Sequence, residues 1–403
     1  MDRSHRSAGA GVGWGSAPAE FAWPHPSVPR YGERSLADLV PSLLAALGTR
    51  GMRGPIALEP ARRVLLLVID GLGEALLDRH ADDAPFLATH RREPLTCGFP
   101  STTAASLGSI GTGLAPGEHG LPGYTIQLPG QERALNVLRW EWYGRGATAD
   151  LRDRFPPETL QPEPTAFERA RDAGVGVTMV GTGTFAHSGL TRAVLRGGRW
   201  VAAHGLADVV MEAARAIAAP GPRLLYAYHP ELDGVGHVRG VASDAWHLHL
   251  RLVDRAVEAL AARLPDDCRL VVTGDHGMVD IPEAGKVDLD DEPALRQGVR
   301  LLAGEPRARH VHVDPGAEAD VLAAWRERLG HAMWVVTRDE AIEAGWFGPR
   351  TLDRVRPRIG DIVAAAFGAV GVVQRTADGP LARLIGHHGS LTADEQVVPY
   401  IVV

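Results

Sequence analysis

The sequence predicts an α/β fold with a mostly parallel central sheet and helices on both of its faces. The strongest strand signal is the unbroken apolar run Val64–Ile69, which is typical of a parallel strand covered on both faces. Residues 174–185, 222–237 and 268–278 repeat the pattern, since each begins with an apolar run and ends in a polar or glycine-rich loop. Ligands of such sheets bind at the carboxyl ends of the strands.

Two amphipathic segments predict helices. Residues 36–49 follow Ser35, a good N-cap, with a break expected at Pro41. Residues 243–264 start at Ser243 and Asp244 and have an apolar face. Strands that alternate with helices favour a sheet wound on both sides.

The chain divides into three parts by composition. Residues 1–35 are rich in Gly, Ala, Pro and Ser, which predicts a flexible N-terminal arm. Residues 36–280 and 385–403 form the main α/β domain. Residues 281–384 do not continue the pattern of strand, polar loop and helix, which predicts a small α+β insertion. This insertion would act as a cap over the strand ends.

Composition excludes several classes of protein. Of the 403 residues, 45% are hydrophobic and 23% charged, which is ordinary for a soluble globular enzyme. A net charge of −7 argues against a nucleic acid as the main partner. Cys97 and Cys268 make neither a disulfide framework nor a CxxC zinc site. With no apolar run long enough to span a membrane and no signal-peptide pattern, we expect a cytoplasmic protein; its oligomeric state stays open.

Metal-type ligands follow the predicted strands and recur near the C-terminus: Asp70, Asp233, His237, Asp275, His276, His387 and His388. Each alone is compatible with a turn, a helix cap or a structural histidine. Together, carboxylates at one sheet edge would repel one another unless cations neutralised them. Asp and His without thiolates suit zinc or a similar cation. The sequence therefore predicts a site for two divalent ions.

Between the first strand and these later ligands lies "GFPSTTAASLGSIGTG", residues 98–113, which is rich in small hydroxyl residues. Its threonines precede a predicted helix, whose N-terminus attracts anions. A Thr hydroxyl becomes a nucleophile when a metal or base lowers its pKa, and two-metal sites commonly serve phosphoryl transfer. The alternative is a buried small-residue helix with Thr102 or Thr103 as its N-cap.

In their order, the motifs "VIDG", "FPSTTAASLGSIGTGLAPGEHG", "LDGVGH", "GDHGM" and "HHGS" resemble those of the alkaline phosphatase superfamily, most closely its nucleotide pyrophosphatase/phosphodiesterase branch. The resemblance covers residues 60–280 and 385–403. It implies Thr103 as the nucleophile, with Thr102 as the alternative. It also implies two zinc ions, Mn²⁺ being possible: one held by Asp233, His237 and His388 (or His387), the other by Asp70, Asp275, His276 and the Thr103 oxygen.

The resemblance further implies hydrolysis of a small phosphate ester, at a phosphodiester or pyrophosphate bond of a nucleotide-type substrate, through a phosphothreonine intermediate. One departure is Tyr124, which stands where nucleotide-cleaving members have an Asn that binds a phosphate oxygen. His187 is a weaker candidate for the pocket. The alternatives are a phosphomonoesterase or phosphonate hydrolase of the same superfamily, and a catalytically silent metal-binding protein.

Overall fold

The structure is a computed structural model that describes residues 23–403. Up to residue 280 the helices are α1 (Leu36–Ala46), α2 (Glu74–Arg79), α3 (Pro85–Thr89), α4 (Thr103–Thr112), α5 (Pro116–His119), α6 (Pro157–Leu160), α7 (Ala166–Asp172), α8 (Gly189–Val194), α9 (Leu206–Ile217), α10 (Glu231–Arg239) and α11 (Asp244–Ala261). The strands of this part are β1 (Arg63–Ile69), β2 (Leu95–Thr96), β3 (Thr125–Gln127), β4 (Ala134–Asn136), β5 (Glu141–Trp142), β6 (Gly176–Thr182), β7 (Arg199–Ala203), β8 (Arg223–His229), β9 (Cys268–Gly274) and β10 (Val279–Asp280).

Residues 281–384, the inserted unit, contain α12 (Pro293–Arg296), α13 (Glu318–Leu329), α14 (Arg338–Glu343), α15 (Arg375–Asp378), β11 (Lys286–Asp288), β12 (Val299–Glu305), β13 (Ala308–Val313), β14 (Met333–Thr337), β15 (Ile362–Ala366) and β16 (Gly371–Val373). The last residues add β17 (Gly386–His387), α16 (Ala393–Gln396), β18 (Val397–Val398) and β19 (Ile401–Val402).

The central sheet has six strands in the order β19-β9-β1-β8-β6-β7. All neighbouring strands are parallel except β19, which is antiparallel to β9. The mostly parallel sheet predicted from the sequence is therefore confirmed.

Strand β1 shows why the sheet is covered on both faces. Its side chains alternate between two hydrophobic cores: Val64, Leu66 and Val68 pack with residues of α1, α4, α7 and α8, while the residues between them pack with residues of α9 and α11. A strand buried on both sides needs apolar residues at every position. This is why the run Val64–Ile69 is continuous rather than alternating.

The inserted unit has its own four-stranded sheet, in the order β12-β13-β15-β14, in which neighbouring strands are antiparallel. Helix α13 packs on one side of it through Trp325 and Leu329. Strand β10 pairs with β17 where the chain leaves the main domain and where it returns.

Three local expectations need correction. Helix α1 continues through Pro41, because its apolar face, including Leu39 and Leu43, is fully buried. The residues after β8 form helix α10, not a loop. Residues 23–35 are held against the inserted unit, so the flexible arm predicted for residues 1–35 does not extend to them. The indole N–H of Trp334 donates to the Pro24 carbonyl (2.8 Å), and the Tyr31 hydroxyl donates to the Trp346 carbonyl (3.0 Å).

Residues 1–22, the rest of the predicted arm, lie outside the described residues. In the part of the chain that is described, no helix combines the length and the apolar character needed to cross a membrane.

Candidate active site

The carboxyl ends of β1, β8 and β9 bring most of the predicted ligands to one edge of the sheet. Asp70 follows β1 directly, and Asp275 and His276 follow β9. We call these three residues the strand-end cluster. Asp233 and His237 lie one turn apart on α10, which follows β8, and meet His388, which follows β17; these three form the helix cluster. In each cluster the potential ligand atoms lie within 4.8 Å of one another.

The strand-end cluster is fully buried. His276 Nε2 lies 3.3 Å from Asp70 Oδ1 and 3.7 Å from Asp275 Oδ2. Asp275 Oδ1 accepts the backbone N–H groups of Gly71 and His276, both at 3.1 Å, while Tyr228 donates its hydroxyl to Asp70. Burial raises the pKa of both aspartates well above the usual range, and repulsion from a neighbouring carboxylate adds to the effect: from Asp233 at Asp70, and from Asp70 and Asp233 at Asp275.

The helix cluster is partly buried and is arranged differently. His237 Nε2 lies 3.3 Å from Asp233 Oδ2, and its Nδ1 is 2.7 Å from the Gly386 carbonyl. Burial lowers the pKa of His237, but attraction to Asp233 and the hydrogen bonds outweigh burial and raise it to about 9. Burial opposes ionisation of Asp233 as well, yet the nearby histidines hold its pKa below the usual range.

His388, not His387, completes the helix cluster. His388 Nδ1 is 2.8 Å from the Ser101 carbonyl, and its Nε2 lies 3.9 Å from Asp233 Oδ1. His387 Nε2 instead lies 3.0 Å from the Leu384 carbonyl. A histidine whose Nδ1–H is held by a carbonyl presents Nε2 as a ligand, which is the usual arrangement at metal sites.

The residues of both clusters fit divalent cations. Three buried carboxylate oxygens of the two clusters have no hydrogen-bond partner in the described chain: Asp70 Oδ1, Asp233 Oδ1 and Asp275 Oδ2. Buried oxygens of this kind are costly unless a cation or donor faces them. Each faces its own cluster, and Asp and His donors suit zinc or manganese. The two clusters could hold one ion each.

Thr103 is the first residue of α4 and Thr102 is its N-cap. Thr103 Oγ1 lies 3.3 Å from His276 Nε2, which places this hydroxyl beside the strand-end cluster. The backbone N–H groups of a helix's first turn lack partners within the helix and attract anions. The ring of His276 stacks on that of His388, with 3.6 Å between centroids. The two clusters and the N-terminus of α4 therefore adjoin one another.

Ser101 holds the loop of His388 beside α4. Its Oγ donates to the Ser390 carbonyl (2.8 Å) and accepts the Gly389 N–H (3.1 Å). Behind this loop, Glu395 accepts the Ser390 N–H (3.0 Å) and forms a buried two-fold pair with Arg307 of the inserted unit (3.1 and 2.7 Å). The loop that carries His388 is thus fixed from both the main domain and the inserted unit.

Gly71 is needed for the clusters to meet. Its φ is +74°, a conformation that favours glycine, and a Cβ on it would lie 3.0 Å from the Cα of Asp233. Without that close approach, α10 could not bring Asp233 to the end of β1.

A cavity of about 300 Å³ opens beside Thr103 and both clusters. Tyr124 lines it, and Asn136 Nδ2 donates to the Tyr124 hydroxyl (2.7 Å), so the phenolic O–H stays available to donate. His187 does not belong to the described lining, whereas its neighbours Phe185 and Ser188 do.

Sequence reasoning missed Asn136 and the contribution of the inserted unit. Glu305, at the end of β12, lines the cavity with its Oε2 3.7 Å from His388 Nδ1, and its Oε1 has no partner in the described chain. Burial raises the pKa of Glu305 to about 8. In the sequence, Glu305 stands in "GEPRAR", which matches no pattern that indicates a functional site. That the inserted unit acts as a cap stays a prediction, which these contacts support.

Within residues 23–403, two further groups of potential ligands lie outside this site: His80, Asp83 and His247, and His229, Glu231 and His249. In the first, Asp83 is paired with Arg251 (2.7 Å). In the second, the two Nε2 atoms are 2.9 Å apart, as in a hydrogen bond between neutral histidines.

Similar folds are found among solved structures. Murine ectonucleotide pyrophosphatase/phosphodiesterase 5 superposes with a TM-score of 0.64 at 18% identity, covering 84% of this chain and 87% of that one. An inactive form of it has been solved in complex with AMP. Phosphonoacetate hydrolase from Sinorhizobium meliloti 1021, in complex with phosphonoformate, gives a TM-score of 0.63 at 21% identity, covering 85% and 90% of the two chains.

The sequence comparisons add the family. Comparison with curated proteins finds no significant match. A sequence model of the type I phosphodiesterase / nucleotide pyrophosphatase family matches residues 64–391, which include both clusters and Thr103. The chain therefore belongs to the type I phosphodiesterase / nucleotide pyrophosphatase family and is a hydrolase of the alkaline phosphatase superfamily.

Proposed function

We propose that this protein hydrolyses phosphodiester or pyrophosphate bonds of small, nucleotide-type substrates, with Thr103 as the nucleophile and two divalent ions, Zn²⁺ or Mn²⁺, as cofactors. The observation that carries the proposal is the position of the Thr103 hydroxyl. It lies at the N-terminus of α4, 3.3 Å from His276 Nε2, beside two clusters whose carboxylates have unpaired oxygens.

The strand-end and helix clusters would each hold one ion, and bound ions supply Lewis-acid stabilisation of phosphoryl oxygens and lower the pKa of a hydroxyl or water. The chain's own residues supply the rest. The N-terminus of α4 offers backbone N–H groups to a phosphate oxygen. Tyr124, oriented by Asn136, can donate its O–H to another oxygen. Thr103 forms a bond to phosphorus while the ester oxygen leaves, and water later cleaves the phosphothreonine.

The alternative within the superfamily is a phosphomonoesterase or a phosphonate hydrolase. Tyr124 in place of the amide expected for nucleotide cleavage supports it, and so does the fold shared with phosphonoacetate hydrolase. A catalytically silent metal-binding protein is disfavoured, because all seven predicted ligand residues, including Thr103, adjoin one another.

The test compares initial rates of the zinc-loaded protein on bis(p-nitrophenyl) phosphate and p-nitrophenyl phosphate. We expect the diester to be preferred, and Thr103→Ala to lower its turnover by about 10³-fold or more. The matched control is Thr102→Ala, for which we expect less than a tenfold loss, since Thr102 has no attacking role. Preference for the monoester would favour the alternative, and full activity of Thr103→Ala would reject this nucleophile.

A further inference from the structure

The cavity beside Thr103 has an aromatic wall built by the central sheet. Met179 on β6 is in register with Tyr226 on β8 and with Trp200 on β7, so these side chains share one face of the sheet. Tyr228 continues the row two residues later and meets the edge of Phe185, with 6.2 Å between ring centroids. The rings on β7 and β8 thus lie on the same face of the sheet, with Met179 of the intervening β6 between them.

The opposite wall is aliphatic and begins at the nucleophile. Leu107 follows Thr103 by one turn of α4 and therefore shares its face. Leu190 and Leu195, within and just after α8, complete this wall. The cavity is consequently an apolar space with the Thr103 hydroxyl at one end.

The charged side chains that line the cavity are acidic, apart from the histidines of the site. No Lys or Arg occurs among the described residues that line it, while Glu305 and Asp378 do. Asp378 is neutralised by Arg309, 2.8 Å away, and accepts the Tyr143 hydroxyl at 2.7 Å. Glu305 keeps an unpaired oxygen. A second phosphate or a carboxylate on the substrate would lose its hydration here without gaining a cationic partner.

Two donors on the aromatic wall have no partner in the described chain: the Tyr226 hydroxyl, which is fully buried, and the Trp200 indole N–H. Both donor atoms have almost no accessible surface, so the aromatic wall presents its rings, and not these polar atoms, to the cavity.

We propose that this cavity binds one ester group of the substrate, and that this group is uncharged and mainly apolar, a hydrocarbon or aryl group with at most isolated acceptor atoms. The inference rests on the proposed function and narrows it. It selects phosphate diesters of apolar alcohols over pyrophosphates and over phosphonates that carry a carboxylate.

The test uses alkylphosphonic acids, which have one organic group and no ester bond to cleave, as inhibitors of bis(p-nitrophenyl) phosphate hydrolysis by the zinc-loaded protein. We expect the inhibition constant to fall along the series methyl, butyl, octyl, by about fourfold for each methylene that becomes buried. We expect 7-carboxyheptylphosphonic acid to bind at least tenfold more weakly than the octyl compound, because its terminal charge would enter the apolar space.

A second experiment uses a variant with a narrower cavity. Leu195→Phe adds volume to the aliphatic wall, and we expect the ratio of octyl to methyl affinity to fall at least fivefold. The matched control, Leu252→Phe, alters an exposed leucine (53% exposed) on α11 and should leave that ratio unchanged.

The outcomes separate the two proposals. Inhibition constants that do not depend on chain length, or equal binding of the octyl and carboxyheptyl compounds, would overturn the cavity assignment while diester hydrolysis stands. If no diester is hydrolysed, the proposed function fails. Binding of the same series, measured by calorimetry on the zinc-loaded protein, would then still support or overturn the cavity assignment.

Discussion

The strand-end cluster and the helix cluster use the same residue types in environments that differ in charge. The strand-end cluster places two carboxylates around one histidine in a fully buried position, and both aspartates have raised pKa values. The helix cluster places one carboxylate between two histidines in a partly buried position, and Asp233 forms an ion pair with His237.

Because the two clusters differ in charge, cation binding should have a different effect on each. Without metal, burial makes ionisation of the two carboxyl groups of the strand-end cluster costly, so a cation beside them removes a cost to stability. In the helix cluster, a cation must replace the proton on His237 before that nitrogen can act as a ligand. We infer that metal binding stabilises the fold mainly through the strand-end cluster.

The greatest loss that we expect is in catalytic activity, and it should follow from a substitution in either cluster. Loss in variants of one cluster only would show that the other cluster is not needed for activity. We expect Asp275→Asn to lower kcat/KM for the diester by about 10³-fold or more, and His237→Ala by about 10²-fold, because each ion stabilises charge in the transition state. Each variant should bind one ion fewer by elemental analysis.

The matched control for this prediction is Asp254→Asn. Asp254 is a buried aspartate outside the site whose carboxylate accepts the Leu87 N–H (2.8 Å), a bond that an amide oxygen can keep. It should retain activity and both ions. Normal activity and metal content in Asp275→Asn would contradict the assignment of the strand-end cluster.

The next effect concerns the metal-free protein and has opposite signs in the two clusters. We expect Asp275→Asn to raise the Tm by roughly 1–3 °C, because a neutral amide replaces a buried carboxyl group whose ionisation burial makes costly. His237→Gln should lower the Tm by a similar amount, since it leaves Asp233 without its cationic partner. Calorimetry after chelation measures both. Destabilisation by both variants would show that the clusters do not differ in this way.

The pH dependence follows from the same pKa shifts. The pKa of His237 is about 9 in the folded chain and ~6.5 in the unfolded chain. Its contribution to the stability of the fold is therefore complete below pH ~6.5 and is lost as the pH rises through about 9. The raised pKa values of Asp70 and Asp275 act in the same direction, because the folded chain keeps protons that the unfolded chain releases.

We therefore expect the Tm of the metal-free protein to fall between pH 6.5 and 9, with a smaller slope in His237→Gln. The zinc-loaded protein should lack this fall, because zinc binding displaces the protons. The account would be contradicted by a metal-free Tm that rises over this interval.

The weakest effect that we expect is on metal affinity, from a substitution that acts on the helix cluster only through the loop of His388. Ser101→Ala removes the two hydrogen bonds that the Ser101 hydroxyl makes to the loop of His388 and keeps the carbonyl that holds the ring. We expect metal affinity to weaken by about tenfold at one of the two ions only. Zinc titration with a competing chelator measures this, and equal weakening at both ions would argue against it.

The sequence predicted the main sheet and the meeting of the candidate ligands at one edge of it, because both follow from short-range patterns. That these residues bind metal stays a prediction. A continuous apolar run indicates a strand buried on both faces, and Asp70 or Asp275 directly after such a run must lie at the edge where ligands bind. The positions of neighbouring candidates in the structure separate them: Thr102 is the N-cap and Thr103 the first residue of α4, while His387 lies in β17 and His388 follows it.

What could not be predicted depends on contacts between distant parts of the chain. Glu305 reaches the site because β12 of the inserted unit ends there, and no local pattern specifies that docking. Residues 23–35 resemble a linker in composition, yet Pro24 and Tyr31 hydrogen-bond to tryptophans more than 300 residues away. Helix α10 was missed because its two glycines favour a loop, whereas burial of Leu232 and Gly236 supports a helix.

The most direct test of the account is to trap the covalent intermediate. The zinc-loaded protein would be quenched with acid during turnover of bis(p-nitrophenyl) phosphate and its peptides analysed by mass spectrometry. We predict a phosphoryl or p-nitrophenylphosphoryl group on Thr103, and none on that peptide in Thr103→Ala. A modification on Thr102 or on another residue, with Thr103 unmodified, would contradict the central claim.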